Sequence, residues 1–259
     1  MIRYRCGAGL GSLLVLGLAC GCSDADRGPG SGLNGNAGEM NGGAGGLGGA
    51  PGAGGQGGAA GASLPDAGPD APACARFVTG VVAHRFGPGQ DTNQHLFPGP
   101  ILGPPRGAGC CEGSLDVVSI GNGGSVTLEF EGSLITDAPG PDFIVFENAF
   151  NVGNEPSQVF AELGTVEVSE DGTNFYEFPC TSSAYPYGGC AGWHPVFANA
   201  DDNAIDPLDP ALAGGDAFDL AELGIEHVRY VRITDRADQT GLAGVFDLDA
   251  VGIINLECE

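Results

Sequence analysis

Two aspartates stand two residues apart in the run Phe246-Asp247-Leu248-Asp249, and along an extended chain alternate side chains share a face. Carboxylates brought that close repel each other unless a cation, an arginine or a proton lies between them. Calcium, which takes roughly six to eight oxygen ligands, removes that repulsion. Glu147, Asn148, Asp142 and Asp219 offer further oxygens from neighbouring segments, so with Asp247 and Asp249 they form the candidate metal set. Capped strand ends and solvated turns account for the same residues without any ion. The loop 199–209 is a weaker candidate. Asn199, Asp201 and Asn203 alternate, but Ala204 stands where an EF-hand needs Gly and Pro210 where it needs a bidentate Glu. A solvated, proline-stiffened loop is expected there.

A second constellation is aromatic. Tyr185, Tyr187, Trp193 and His194 fall in and just after the segment Cys180–Cys190, with Gly188, Gly189 and Gly192 among them. Exposed rings stack on the apolar faces of sugars while nearby polar groups orient the hydroxyls, so these four are the candidate ligand-binding residues, with carbohydrate as the ligand. The alternative reading makes the sole Trp a plug at the end of the fold.

Catalysis has little in its favour. No GxSxG elbow, HExxH helix or phosphate loop occurs, and His84, His95, His194 and His227 share no metal spacing. The run Ser169-Glu170-Asp171-Gly172 is one residue short of a sialidase-type Asp-box. The chain is therefore read as a binding module and not as an enzyme.

The elements that must position these residues read as strands. Val126, Leu128 and Phe130 alternate with Thr127, Glu129 and Glu131, and Val166 and Val168 with Thr165, Glu167 and Ser169. Phe143-Ile144-Val145-Phe146 and Val228-Arg229-Tyr230-Val231-Arg232-Ile233 are dense enough for central strands, and Val251-Gly252-Ile253-Ile254 reads as the last one. Asp171-Gly172 marks a hairpin turn. Only Asp216 to Leu223 has helical spacing, with Asp216 as its cap. The expected fold is all-β, an antiparallel β-sandwich over 74–259 with one short helix.

Five segments carry a resemblance. These are Gly-Ser-Leu-Asp-Val-Val-Ser-Ile at 113–120, Gly-Pro-Asp-Phe-Ile-Val-Phe-Glu-Asn at 140–148, Val-Glu-Val-Ser-Glu-Asp-Gly-Thr-Asn-Phe at 166–175, Val-Arg-Tyr-Val-Arg-Ile at 228–233 and Phe-Asp-Leu-Asp-Ala-Val at 246–251. They resemble a family of bacterial secreted cell-surface lipoprotein modules and, more distantly, the discoidin or galactose-binding-like jelly roll. What the resemblance implies is a jelly roll of eight or nine strands used for carbohydrate recognition and holding a structural calcium. Fold alone does not fix function, so the sugar remains an analogy at this point.

The N-terminus speaks about location. Arg3 and Arg5 precede the apolar stretch Leu10 to Leu18 and small residues follow, matching a secretory signal over 1–21. It is shorter than the roughly 20 residues of a spanning helix. Cys22, or Cys20 just before it, is the expected lipidation site, which gives an exported protein anchored to the cell envelope, at the outer membrane or cell surface. Residues 22–73 are rich in Gly and Ala without apolar periodicity, so a disordered linker is expected.

Without residues 1–21 the chain loses Arg3 and Arg5 and no acid, leaving seven bases, all Arg, against 33 acids and a net charge of −26. That surface repels phosphate backbones and anionic lipid heads, which excludes nucleic acid and limits membrane contact to the lipid anchor. Carbohydrate or an envelope protein remains as partner, and a monomer is expected. Cys74, Cys110, Cys111, Cys180, Cys190 and Cys258 allow up to three disulfides. Cys180 with Cys190 closes a local loop. Cys74 is expected to pair with Cys110 or Cys111 and Cys258 with the other, although six cysteines permit about 15 pairings.

Overall fold

The alternation becomes two β-sheets that share one core. The computed structural model describes residues 74–153, 155–238 and 244–259, with only the backbone of Cys110 and Cys111. The expected leader and linker, with Cys20 and Cys22, lie outside the described residues. The larger sheet holds β1 (Gly80–Arg85), β4 (Ser125–Glu129), β13 (Tyr230–Asp235), β9 (Gly164–Ser169) and β10 (Tyr176–Glu177), in that spatial order. The second holds β11 (Asp216–Phe218), β6 (Phe143–Glu147), β14 (Asp247–Ile253) and β3 (Val118–Ser119). Every pairing within these two sheets is antiparallel.

One face of each sheet feeds the common core. Val126, Leu128, Val166, Val168, Val231 and Ile233 from the larger sheet pack in one cluster with Val118, Phe143, Val145, Leu248, Val251 and Ile253 from the smaller. Each such side chain contributes roughly 1.5–3 kcal/mol by leaving water. Of the polar positions between them, Thr127 and Ser169 are buried as well, whereas Arg232 and Glu167 are partly exposed. Arg232 lies directly across from Glu167 and binds it through Nε at 2.6 Å, while its guanidinium covers the Phe175 ring at 3.8 Å.

β6 is buried on both faces, as its unbroken apolar run requires. Its second face, Ile144 and Phe146, packs with Val196, Ala198 and Ala213 of the long segment before β11. That packing carries the aromatic segment to the edge of the smaller sheet.

Two small sheets complete the fold. One holds β12 (His227–Val228), β5 (Ser133–Thr136) and β15 (Leu256–Cys258). The other holds β2 (Cys110–Cys111), β7 (Phe150–Val152) and β8 (Val159–Phe160), with β2 and β7 parallel. The chain is thus all-β, an antiparallel sandwich. Strand β15 extends the sequence beyond the expected last strand at Val251–Ile254.

The helix expected over Asp216–Leu223 does not form. Asp216–Phe218 pairs with Val145–Phe143 as an edge strand, and only Leu220–Glu222 makes a 3-10 turn, capped by the Asp219 carboxylate accepting the Ala221 N–H at 2.9 Å. Eight residues make a marginal helix in isolation, and burying Phe218 against Phe143 and Phe178 outweighs it.

The disulfides need one correction. Cys180 pairs with Cys190 as expected, but Cys74 pairs with Cys258, with Cα atoms 5.5 Å apart, and not with Cys110 or Cys111. Both ends of the domain run beside Ser133: Cys258 lies opposite it in the ladder, and its hydroxyl donates to the Ala75 carbonyl at 2.8 Å. The adjacent cysteines stand instead in β2 beside Asn151 and Val152. Their side chains lie outside the described residues.

Candidate functional site

The aromatic residues of the sequence reading do meet. The Cys180–Cys190 disulfide closes their loop, and Arg236 ties it down by donating to the Ser182 carbonyl at 2.9 Å. Tyr187 and Trp193 pack their inner sides on the buried cluster of Ala161, Leu163, Cys180 and Cys190, and the indole N–H donates to the Cys190 carbonyl at 3.0 Å. Tyr185 is 66% exposed and stands edge-on to Trp193, with ring centroids 5.6 Å apart. Trp193 thus closes the core with its anchored side, and Tyr185 meets it from outside.

His194 continues the row, its ring centroid 3.6 Å from that of Trp193. Its Nδ1 lies 2.7 Å from Asp216 Oδ1, and Asp216 Oδ2 accepts the backbone N–H groups of Gly192 at 2.7 Å and Trp193 at 3.2 Å. Burial pushes the Asp216 carboxyl up, while His194 and the two N–H groups pull it back. Three groups converge on one buried carboxylate, so Asp216 holds the His194 ring and the backbone that leads into Trp193. Sequence reading placed Asp216 in a helix cap and missed this role; nothing local marks it.

A recess of about 230 Å³ opens along the row, lined by Asn151, Pro156, Val159, Tyr185, Trp193 and His194. His194, with Pro195 and Phe197, also borders a neighbouring recess of about 330 Å³. Small-ligand clefts run from roughly 300 Å³ upward. Larger hollows of about 490 and 640 Å³ lie beside Arg106, but its guanidinium is already taken by Asp116 at 3.0 Å and Asp201 at 2.8 Å. Along the aromatic row the indole N–H is taken by Cys190 and the His194 Nδ1 by Asp216, which leaves the exposed Tyr185 ring and the far side of the His194 imidazole facing the recess.

The candidate metal set does not converge. Asp142 is buried and fully engaged, accepting N–H donors from Ala138 at 3.0 Å, Leu220 at 2.8 Å and the Asn255 amide at 2.9 Å. Asp219 lies near it, and with Asp137 these three can each bring one oxygen within 4.8 Å of the others. They are separate from Glu147 and Asp247.

A bulge in β14 between Leu248 and Ala250 parts Asp247 from Asp249, which overturns their expected place on one face. Asp249 takes the Arg106 backbone N–H on both oxygens, at 2.9 and 3.1 Å, and burial pushes its carboxyl up to about 8. Asp247 accepts the Ser119 hydroxyl instead.

Glu147 and Asn148 do stay with Asp247: the Asp247 N–H donates to Glu147 Oε1 at 3.2 Å, and Asn148 hydrogen-bonds the Asp247 carboxylate. The loop 199–209 is solvated as expected. Asn199 Oδ1 accepts the N–H groups of Asp201 and Asp202, and Asn203 Oδ1 that of Ile205.

Glu162 is the carboxylate that sequence reading passed over. It is 2% exposed, and burial together with the Asp247 charge pushes it up to about 8. The Ala161-Glu162-Leu163 run has no spacing that marks it.

No family model matches this chain, and no curated protein is similar to it. Among the described residues no helix is long and apolar enough to cross a membrane.

Proposed function

We propose that this chain is an envelope-displayed binding module, carried on a lipid anchor at Cys22 or Cys20, that recognises neutral carbohydrate along Tyr185, Trp193 and His194. The observation that carries the reading is the row itself. An exposed tyrosine, an indole anchored from behind and an imidazole held by a buried aspartate border one recess with the Asn151 amide at its edge. Rings of this kind cover the C–H faces of a sugar, and the imidazole Nε2 and the amide match its hydroxyls. A strongly acidic surface leaves neutral ligands favoured over anionic ones. Two disulfides support an oxidising compartment outside the cytoplasm.

Trp193 is the sole tryptophan, so its emission reports on this site directly. Titration of the full chain with neutral oligosaccharides should shift or quench that emission saturably for at least one of them. Unchanged emission across hexose, deoxyhexose and N-acetylhexosamine oligomers would leave a protein-interaction role in the envelope as the reading to pursue.

A further inference from the structure

The recess beside the aromatic row has a second lining, which the small sheet of β2, β7 and β8 supplies. Asn151 of β7 lies directly across the ladder from Val159 of β8, and both border the recess together with Pro156 of the turn between those strands. Directly opposed residues share a face, with Cβ atoms about 4.5–5.5 Å apart, so an amide and an isopropyl group stand side by side there. The other face of the pair holds Phe150 stacked on Phe160, with ring centroids 5.1 Å apart, and the Val152 N–H closes the turn on the Gln158 carbonyl at 2.8 Å. The lining is thus fixed from behind.

Asn151 is the unusual member of this lining. It is only 9% exposed, yet its side-chain amide makes no hydrogen bond among the described residues. A polar group this deep is costly to leave unpaired, so its partner comes from whatever occupies the recess. The aromatic side supplies a second polar atom of known character. Asp216 Oδ2 already accepts two backbone N–H groups, and the same carboxylate accepts from His194 at 2.7 Å. A neutral imidazole held in that way carries its hydrogen on Nδ1 and its lone pair on Nε2. The recess therefore combines one acceptor, one amide and an apolar corner.

We infer that the sugar taken along this row carries an acetamido group, and that Asn151, Val159 and His194 recognise it. The inference rests on the carbohydrate reading of the row and names the kind of sugar. An acetamido group presents one carbonyl, one N–H and one methyl, with the carbonyl and the methyl on the same carbon. The Asn151 NH2 donates to that carbonyl, Val159 and Pro156 cover the methyl, and His194 Nε2 accepts the N–H. The exposed Tyr185 ring covers the C–H face of the same sugar. A hydroxyl or a free amine at that position has no methyl for the apolar corner and cannot reach both polar groups at once. A site that hydrogen-bonds a ligand group discriminates against analogues lacking it, because its own polar atoms are then left unpaired.

The test follows the Trp193 emission of the full chain at about pH 8, above the ordinary histidine range, during titration with three oligosaccharides. These are fully N-acetylated chitotetraose, its deacetylated form and cellotetraose. Chitotetraose should bind about tenfold more tightly than either of the others. Asn151→Ala and Val159→Thr should each cut that preference to about threefold or less. Should one variant fail to fold, the other variant and the wild-type comparison still decide. Cellotetraose bound as tightly as chitotetraose would overturn the acetamido assignment and leave the carbohydrate reading standing. A preference undiminished in both folded variants would overturn it equally. A wild-type chain that binds none of the three also overturns the assignment, and the carbohydrate reading falls with it only if the wider oligosaccharide panel is silent too.

Discussion

The His194 imidazole stands 2.7 Å from the buried carboxylate of Asp216, whose second oxygen holds the backbone of Gly192 and Trp193. One side chain thus fixes the His194 ring and the backbone before the Trp193 ring, and it does so from the first residue of an edge strand, β11. Asp216→Ala should strand those N–H groups and lower stability by about 2–3 kcal/mol in urea denaturation, with the Trp193 emission shifted to the red. His194→Ala, at the half-exposed end of the pair, should cost far less stability. Equal losses in the two variants would mean that the carboxylate does not organise the segment.

Gly192 is the hinge of the same segment. Its φ is +92°, and a Cβ there would lie 2.0 Å from the backbone oxygen of Glu162, which has no freedom to move aside. Gly192→Ala should destabilise by more than about 1 kcal/mol from the backbone conformation alone, with the clash added to it. Gly188, also at positive φ but with open space around it, should lose only the conformational part on the same change. Thermal melts of the two variants side by side check the difference.

The disulfides should differ in worth. Cys74–Cys258 spans 184 residues and Cys180–Cys190 spans 10. Loop-closure entropy then assigns about 5 kcal/mol to the first and about 3 kcal/mol to the second. Cys74→Ser with Cys258→Ser should therefore lower the denaturation midpoint more than Cys180→Ser with Cys190→Ser, while only the latter pair should loosen the tyrosines and the Trp193 environment.

Asp171 gives the hairpin after β9 a pH dependence. The N–H groups of Asn174 and Thr173 on its carboxylate hold it well below the usual value of 3.8. A carboxylate whose folded pKa is depressed adds stability that is complete above the unfolded value and disappears as pH falls through the folded one. Asp171→Asn should thus melt below wild type at pH 7, and the gap should close on acidification below about pH 4. A gap that stayed constant with pH would remove the carboxylate from the account.

Much of the fold was legible because the strand signal is local. Val126, Leu128, Val166, Val168, Val231 and Ile233 alternate in the chain and all end up on the core face. Asp171-Gly172 likewise turns where its chemistry requires. What stayed hidden depends on contacts between distant segments. The bulge that parts Asp247 from Asp249 is set by the pairing of β14 with β6, and the bond joining Asp247 to Glu147 spans 100 residues. Glu162 and Asp216 are ordinary acids in the sequence, and only packing of the 191–215 segment and the sheet edges turns them into buried anchors. The aromatic row was legible because its members are neighbours in the chain and one local disulfide closes their loop.

Glycan-array binding by the wild-type full chain, beside Tyr185→Ala and Trp193→Ala, tests the central claim most directly. The account predicts that wild type retains at least one neutral glycan and that each variant weakens it about tenfold, the loss of one stacked ring. Wild type that binds no glycan, or variants that bind as well as wild type, would contradict it.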